Sequence, residues 1–214
     1  QSLTGETVFR RQFKNGLLKI YASLDVSDFD LNQEDINQPE KVRFDLKNNN
    51  FYGNASYKGT FGNNWSLQTG MSYGISLNEI GITTNKVQNE EYATHLKVKV
   101  SKKITERIKI AGGADYFITK FDEDFIPFEQ TTFSSGYNNS IAAVYAESDI
   151  FFSKKLALKL GIRASDNQLL EEFQVTPRAS FAYKVSKSSQ FSFAYGDFVQ
   201  TPRQEYVKYE SNLK

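Results

Sequence analysis

The side chains that could do chemistry are few, and their types set limits at once. His95 is the single histidine and cysteine is absent, which excludes a multi-histidine metal site, thiolate-held zinc or iron–sulfur, a disulfide framework and a thiol nucleophile. What remains is oxygen chemistry. The run Asp122-Glu123-Asp124 offers hard oxygen ligands of the kind calcium takes, but it lacks the spaced D-x-D-x-D-G order with its turn glycine and reads as an acidic loop tip. His95 could serve as a general base if a carboxylate oriented it. No Asp is adjacent to it, and the facing segment offers Gly112, Gly113 and Asp115, so His95 reads as a wall residue. Neither phosphate-loop pattern, GxGxxG or GxxxxGK[ST], occurs. The expectation is a protein without catalytic residues, metal or cofactor.

Charge names no partner either. Lys and Arg number 26 against 25 Asp and Glu, a net charge of +1, and nucleic acid needs a basic stripe that is not there. With 39% hydrophobic residues, 18 Phe, 12 Tyr and only 4 Pro, the chain is too apolar for disorder. Its mean hydropathy of −0.51 and short apolar runs leave no room for a membrane-spanning helix. No charged n-region with an apolar h-region follows Gln1, so no signal peptide is expected.

The elements that must carry these residues announce themselves by period 2. Trp65, Leu67, Met71, Tyr73 and Ile75 alternate with Ser66, Gln68, Gly70, Ser72 and Gly74. Leu156, Leu158, Leu160 and Ile162 alternate with Ala157, Lys159, Gly161 and Arg163, and Leu96, Val98 and Val100 with His95, Lys97 and Lys99. The pattern predicts about ten strands, at 6–13, 16–29, 43–61, 65–76, 91–101, 106–118, 138–152, 156–166, 172–185 and 190–200. They would take roughly 60% of the chain, far above a soluble domain but ordinary for strands that cross a bilayer.

Tight turns near 14–15, 62–64, 101–105, 153–155 and 186–189 alternate with longer segments near 30–42, 77–90, 119–137 and 167–171. That spacing predicts short turns at one end of the sheet and long loops at the other. Phe61 and Trp65 bracket one turn, and Tyr73 lies eight residues above Trp65, about 26 Å along the strand and about 20 Å along a membrane normal after tilt. With Phe152, Phe191 and Tyr195 they are the expected interface girdles. The second face, rich in Ser, Gly and charge, suits a wet lumen. It would carry Lys97, Lys99, Glu147, Asp149, Lys159, Arg163 and Arg178, with Asp149 opposite Lys159 and Tyr145 opposite Arg163 if the 153–155 turn sets the register. A soluble lipid-binding β-barrel would show the same alternation turned inside out.

Residues 141 to 207 carry a more specific signal. Leu156-Ala157-Leu158-Lys159-Leu160-Gly161-Ile162-Arg163, Thr176-Pro177-Arg178-Ala179-Ser180 and Phe193-Ala194-Tyr195-Gly196-Asp197-Phe198-Val199-Gln200-Thr201-Pro202 resemble the barrel of TonB-dependent outer-membrane receptors, most closely the Bacteroidota type. The resemblance implies an all-β, antiparallel up-and-down transmembrane β-barrel of 22 strands around a plug, taking up a scarce solute such as an iron chelate, vitamin, peptide or oligosaccharide. It implies outer-membrane lipid, the inner-membrane TonB complex acting through the plug, and a surface lipoprotein as partners. No plug, TonB box or signal peptide is recognisable here, so residues 1–214 are expected to form one segment of such a wall. Ligand contacts in the family come from outer loops, upper lumen and plug, which here points to Asp122, Glu123, Asp124, Tyr137, Gln200, Arg203, Tyr206 and Tyr209. A self-contained ten-stranded barrel, either a passive pore or an omptin-like protease built on His95, is the alternative.

Overall fold

The computed structural model describes residues 1–34 and 42–208. Ten strands run in chain order: β1 (Ser2–Phe13), β2 (Gly16–Gln33), β3 (Val42–Phe61), β4 (Trp65–Ile82), β5 (Asn85–Lys103), β6 (Ile108–Ile126), β7 (Phe133–Phe151), β8 (Leu156–Asn167), β9 (Glu172–Lys184) and β10 (Gln190–Gly196). A four-residue helix, α1 (Gln204–Val207), follows. Each strand pairs antiparallel with the next, in the sheet order β1 to β10. Every ladder is continuous, without a bulge. Among the described residues β1 and β10 form no ladder with each other, so both are edges.

Alternation alone builds the two faces, because cross-strand partners share a side of the sheet. One row on the apolar face runs Ile20, Ala55, Met71, Leu96, Tyr116 and Ala142. Among the described residues just three apolar side chains are buried, Phe121, Ala143 and Val207, while Met71, Leu96, Ile162 and many like them are open. A fold whose greasy face lies outside any protein core requires an apolar solvent, and lipid is that solvent.

The strands differ from the sequence expectation at one end. Residues 77–90 and 119–137, expected as long loops, are largely strand: β4 and β5 continue to a two-residue connection at 83–84, and β6 and β7 to a short one at 127–132. In these extensions the alternation persists with its phase reversed, Asn78, Ile80 and Ile82 now falling on the face of Ser72 and Gly74. A pattern that requires the greasy side to stay put ends the strands early. Thr83 takes a left-handed conformation, φ 55°, which a β-branched residue adopts only under the constraint of so tight a connection. Toward that same end the strand expected to reach 200 stops short at Gly196, where the chain turns back across the sheet. Residues 35–41, within the expected 30–42 loop, lie outside the described residues.

Candidate functional site on the polar face

The polar face between β5 and β9 holds the densest set of charges, and the register explains how they meet. One cross-strand row runs Lys97, Asp115, Ala143, Ser165; the next runs Lys99, Gly113, Tyr145, Arg163; a third runs Ala111, Glu147, Gly161, Arg178, Gly196. Small residues alternate with long ones, so charged tips reach over a neighbouring strand. Lys99 Nζ donates to Glu147 Oε2 at 2.7 Å across β6, and Arg163 Nη1 donates to Asp115 Oδ2 at 2.7 Å across β7. Glycine is required at 113: a Cβ there would come within 2.5 Å of both the Tyr145 hydroxyl and the Val98 carbonyl.

Lys159 lies 3.4 Å from Glu147 and 3.9 Å from Asp149, its cross-strand partner. The Tyr145 ring sits 5.7 Å from the Lys99 ammonium and 5.9 Å from the Arg163 guanidinium. Arg178 lies 4.8 Å over the Phe198 ring. All of these side chains except Asp149 line a concavity of about 680 Å³.

Asp115 is the one buried charge among the described residues, 8% exposed. Its second oxygen lies 3.1 Å from His95 Nε2. No Asp adjoins His95 in the chain, but the facing strand offers Asp115 and the structure brings the two together: the direct partner of His95 is Phe117, which stacks on it at 4.0 Å, while Asp115 reaches it from the diagonal position. With Arg163 on the other oxygen, the trio is a clamp joining β5, β6 and β8. Matching parity of residues 95 and 115 was the available signal.

A second cluster lies higher. Beyond β10 the chain recrosses the sheet: Asn167 Nδ2 donates to Thr201 Oγ1 at 3.4 Å, Gln204 Nε2 to Glu91 Oε2 at 2.8 Å, and Lys208 Nζ to Glu123 Oε1 at 2.6 Å. The Gly136 N–H donates to the Lys208 carbonyl at 3.2 Å, beside the part of β7 that rises above β8. Phe121 packs on Tyr137, ring centroids 5.8 Å apart.

The candidate ligand residues divide accordingly. Strand alternation turns Glu123 to the polar face and Asp122 and Asp124 to the other, where they bond Lys120 at 2.7 Å and Ser134 at 2.6 Å. The acidic run is thus no single cluster. Tyr137 lies on the polar face, Gln200, Arg203 and Tyr206 lie on the recrossing segment, and Tyr209 lies outside the described residues. Glu91 and Gln204, not singled out in the sequence, join this cluster; continued alternation through 85–91 was the signal for Glu91. Of the girdle residues, Phe61 and Trp65 stack at 6.0 Å with Lys102 4.8 Å over the Trp65 ring. Tyr73, Tyr195 and Phe191 share their face, and Phe152 lies in the turn beyond β7.

A bulge-free antiparallel meander with one lipid-compatible face and one ion-paired polar face defines an outer-membrane β-barrel wall. The family described as "TonB dependent receptor-like, beta-barrel" matches residues 4–210, and the chain belongs to it. This places it in the bacterial outer membrane and replaces the soluble lipid-binding reading. Similar folds include the alcaligin outer-membrane receptor FauA from Bordetella pertussis (TM-score 0.66, 14% identity, 87% of this chain and 33% of that one). FpvA from P. aeruginosa, solved with pyoverdine, is alike at TM-score 0.68 and 11% identity over 90% of this chain and 34% of that one. The siderophore receptor PiuA from Acinetobacter baumannii gives 0.58 and 12% over 91% and 44%. The chain spans about a third of the length of the first two. A comparison with curated proteins finds no match.

Proposed function

We propose that this chain is a stretch of barrel wall, of Bacteroidota type, in a receptor that takes up a scarce solute across the outer membrane without chemical conversion. Energy would come from the TonB complex acting through a plug. The observation that carries the reading is the family match over residues 4–210. The polar face supports it: Lys99–Glu147, Arg163–Asp115 and Lys159 between two acids form a rigid, wet surface suited to a plug or a solute path. The apolar face would lie against outer-membrane lipid, and a surface lipoprotein would meet the outer rim. A siderophore, the ligand class named for the similar receptor PiuA, is one solute class among several. The charged face presents clamped ion pairs, with His95 held in one of them.

The test uses the whole protein in its own membrane. On an SDS gel its boiled band is expected well above the mass of 214 residues, with a different mobility unboiled. Cells with and without the protein are then compared for depletion of solutes from a defined medium, with and without an uncoupler. Depletion that needs both the protein and an energised membrane supports the reading. A boiled band at the mass of this chain, or uncoupler-resistant depletion, gives a self-contained passive barrel instead.

A further inference from the structure

Along β2 to β7 the two faces exchange character above the row Leu24, Phe51, Ile75, Tyr92. Beyond it the outward positions become Asp28, Lys47, Glu79, Gln88 and Asp124. The inward positions become Phe29, Leu46, Ile80, Val87, Phe125 and Phe133, cross-strand neighbours in one row. That row spans about 24 Å of wall at the spacing of strands in a sheet. Phe125 and Phe133 stack at 6.4 Å, and Phe29 and Phe133 are 53% and 61% exposed. Acyl chains cannot cover it, because it lies beyond the lipid-facing band and on the opposite side of the sheet.

Two residues nearer the membrane, about 7 Å along the strands, lies a second inward row: Ser27, Asn48, Asn78, Asn89, Glu123, Ser135. Asn78 Nδ2 donates to Asn89 Oδ1 at 2.9 Å and Asn48 Nδ2 to Ser27 Oγ at 3.3 Å, and Lys208 neutralises Glu123. Asn48 Oδ1, Asn78 Oδ1 and Asn89 Nδ2 keep no protein partner among the described residues.

We propose that these two rows form the outer binding site for an uncharged small solute, one with an apolar group about 7 Å from hydroxyl or amide groups. The assignment rests on the uptake reading above. Charge decides the class: within these two rows the one inward charge, Glu123, is paired with Lys208, and the charges flanking them point outward, so neither row presents a free charge to an ion. Desolvating an ion against six apolar side chains is unfavourable, whereas an apolar ring gains by burial. The free amide edges below supply orientation.

The test uses the whole protein in lipid nanodiscs and two fluorescent probes sharing one ring, neutral 4-methylumbelliferyl β-D-glucoside and anionic 4-methylumbelliferyl phosphate. Saturable binding of the neutral probe alone is expected. It should weaken about tenfold in the double variant Ile80→Asn, Val87→Asn, and also in Phe29→Asn at the far end of the row. Binding should persist in Ile80→Leu, Val87→Ile and in outward-facing Asp28→Asn. Each variant is first checked for the heat-dependent gel shift. No saturable binding of the neutral probe to the wild type, equal binding of the anionic probe, or wild-type affinity in both shifted polar variants overturns the assignment. Loss of the gel shift in the wild type, or uncoupler-resistant depletion, overturns the uptake reading instead.

Discussion

At the scale of single residues, the most consequential contact is the clamp at Asp115. A carboxylate 8% exposed tolerates its charge because Arg163 and His95 both bond it. Arg163→Gln should lower the unfolding free energy of the whole protein in vesicles by about 2–3 kcal/mol, read from its urea midpoint, because the buried carboxylate loses its cation. Asp122→Asn should leave the midpoint unchanged, since Asp122 and Lys120 are both 52% exposed and screened by water. A midpoint insensitive to Arg163→Gln would show the clamp to be ornamental. The pairing of Tyr145 with Arg163 and of Asp149 with Lys159 was legible from one turn and a period of two. The Lys99–Glu147 and Arg163–Asp115 bonds were not, because each skips a strand and depends on a small residue, Gly113 or Ala143, between its ends.

At the scale of elements, the alternation of 65–76 or 156–166 made strands readable, while the extensions of β4 to β7 stayed hidden. Their alternation belongs to a different solvent: above the bilayer, charge faces outward, so the apolar phase slips by one. The β4–β5 hairpin gives this a pH signature. Glu79 is 2.9 Å from Lys86 and 3.6 Å from Lys47. The Lys86 hydrogen bond, opposed by partial burial, holds the Glu79 carboxyl below its ordinary range. A carboxyl depressed in the folded state stabilises it fully above the ordinary carboxylate pKa, and that stabilisation is lost as pH falls through the lowered value. Hydrogen exchange at 77–90, corrected for intrinsic rate, should therefore speed up on acidification through this window. Glu79→Gln should flatten the dependence; an unchanged profile in that variant would assign the acid sensitivity elsewhere.

At the scale of the whole molecule, the open question for any two-faced sheet is which side meets lipid, and a charge placed at mid-height answers it. Leu96 lies in the apolar row with Met71 and Tyr116. Leu96→Arg should cost about 2–4 kcal/mol in vesicle unfolding, as a cation facing the bilayer midplane does. Asn54→Arg, at similar height on the opposite face, should cost less than about 1 kcal/mol. Reversal of that order would turn the sheet inside out.

The continuous ladders have a mechanical meaning. A bulge is where a sheet bends and where pairing can be interrupted locally, and among the described residues these ten strands have none. A pull applied at one strand is shared along its full length with the next, so the wall offers no crease on which to fold. It serves as the fixed frame of a doorway, and whatever admits a solute must move against it.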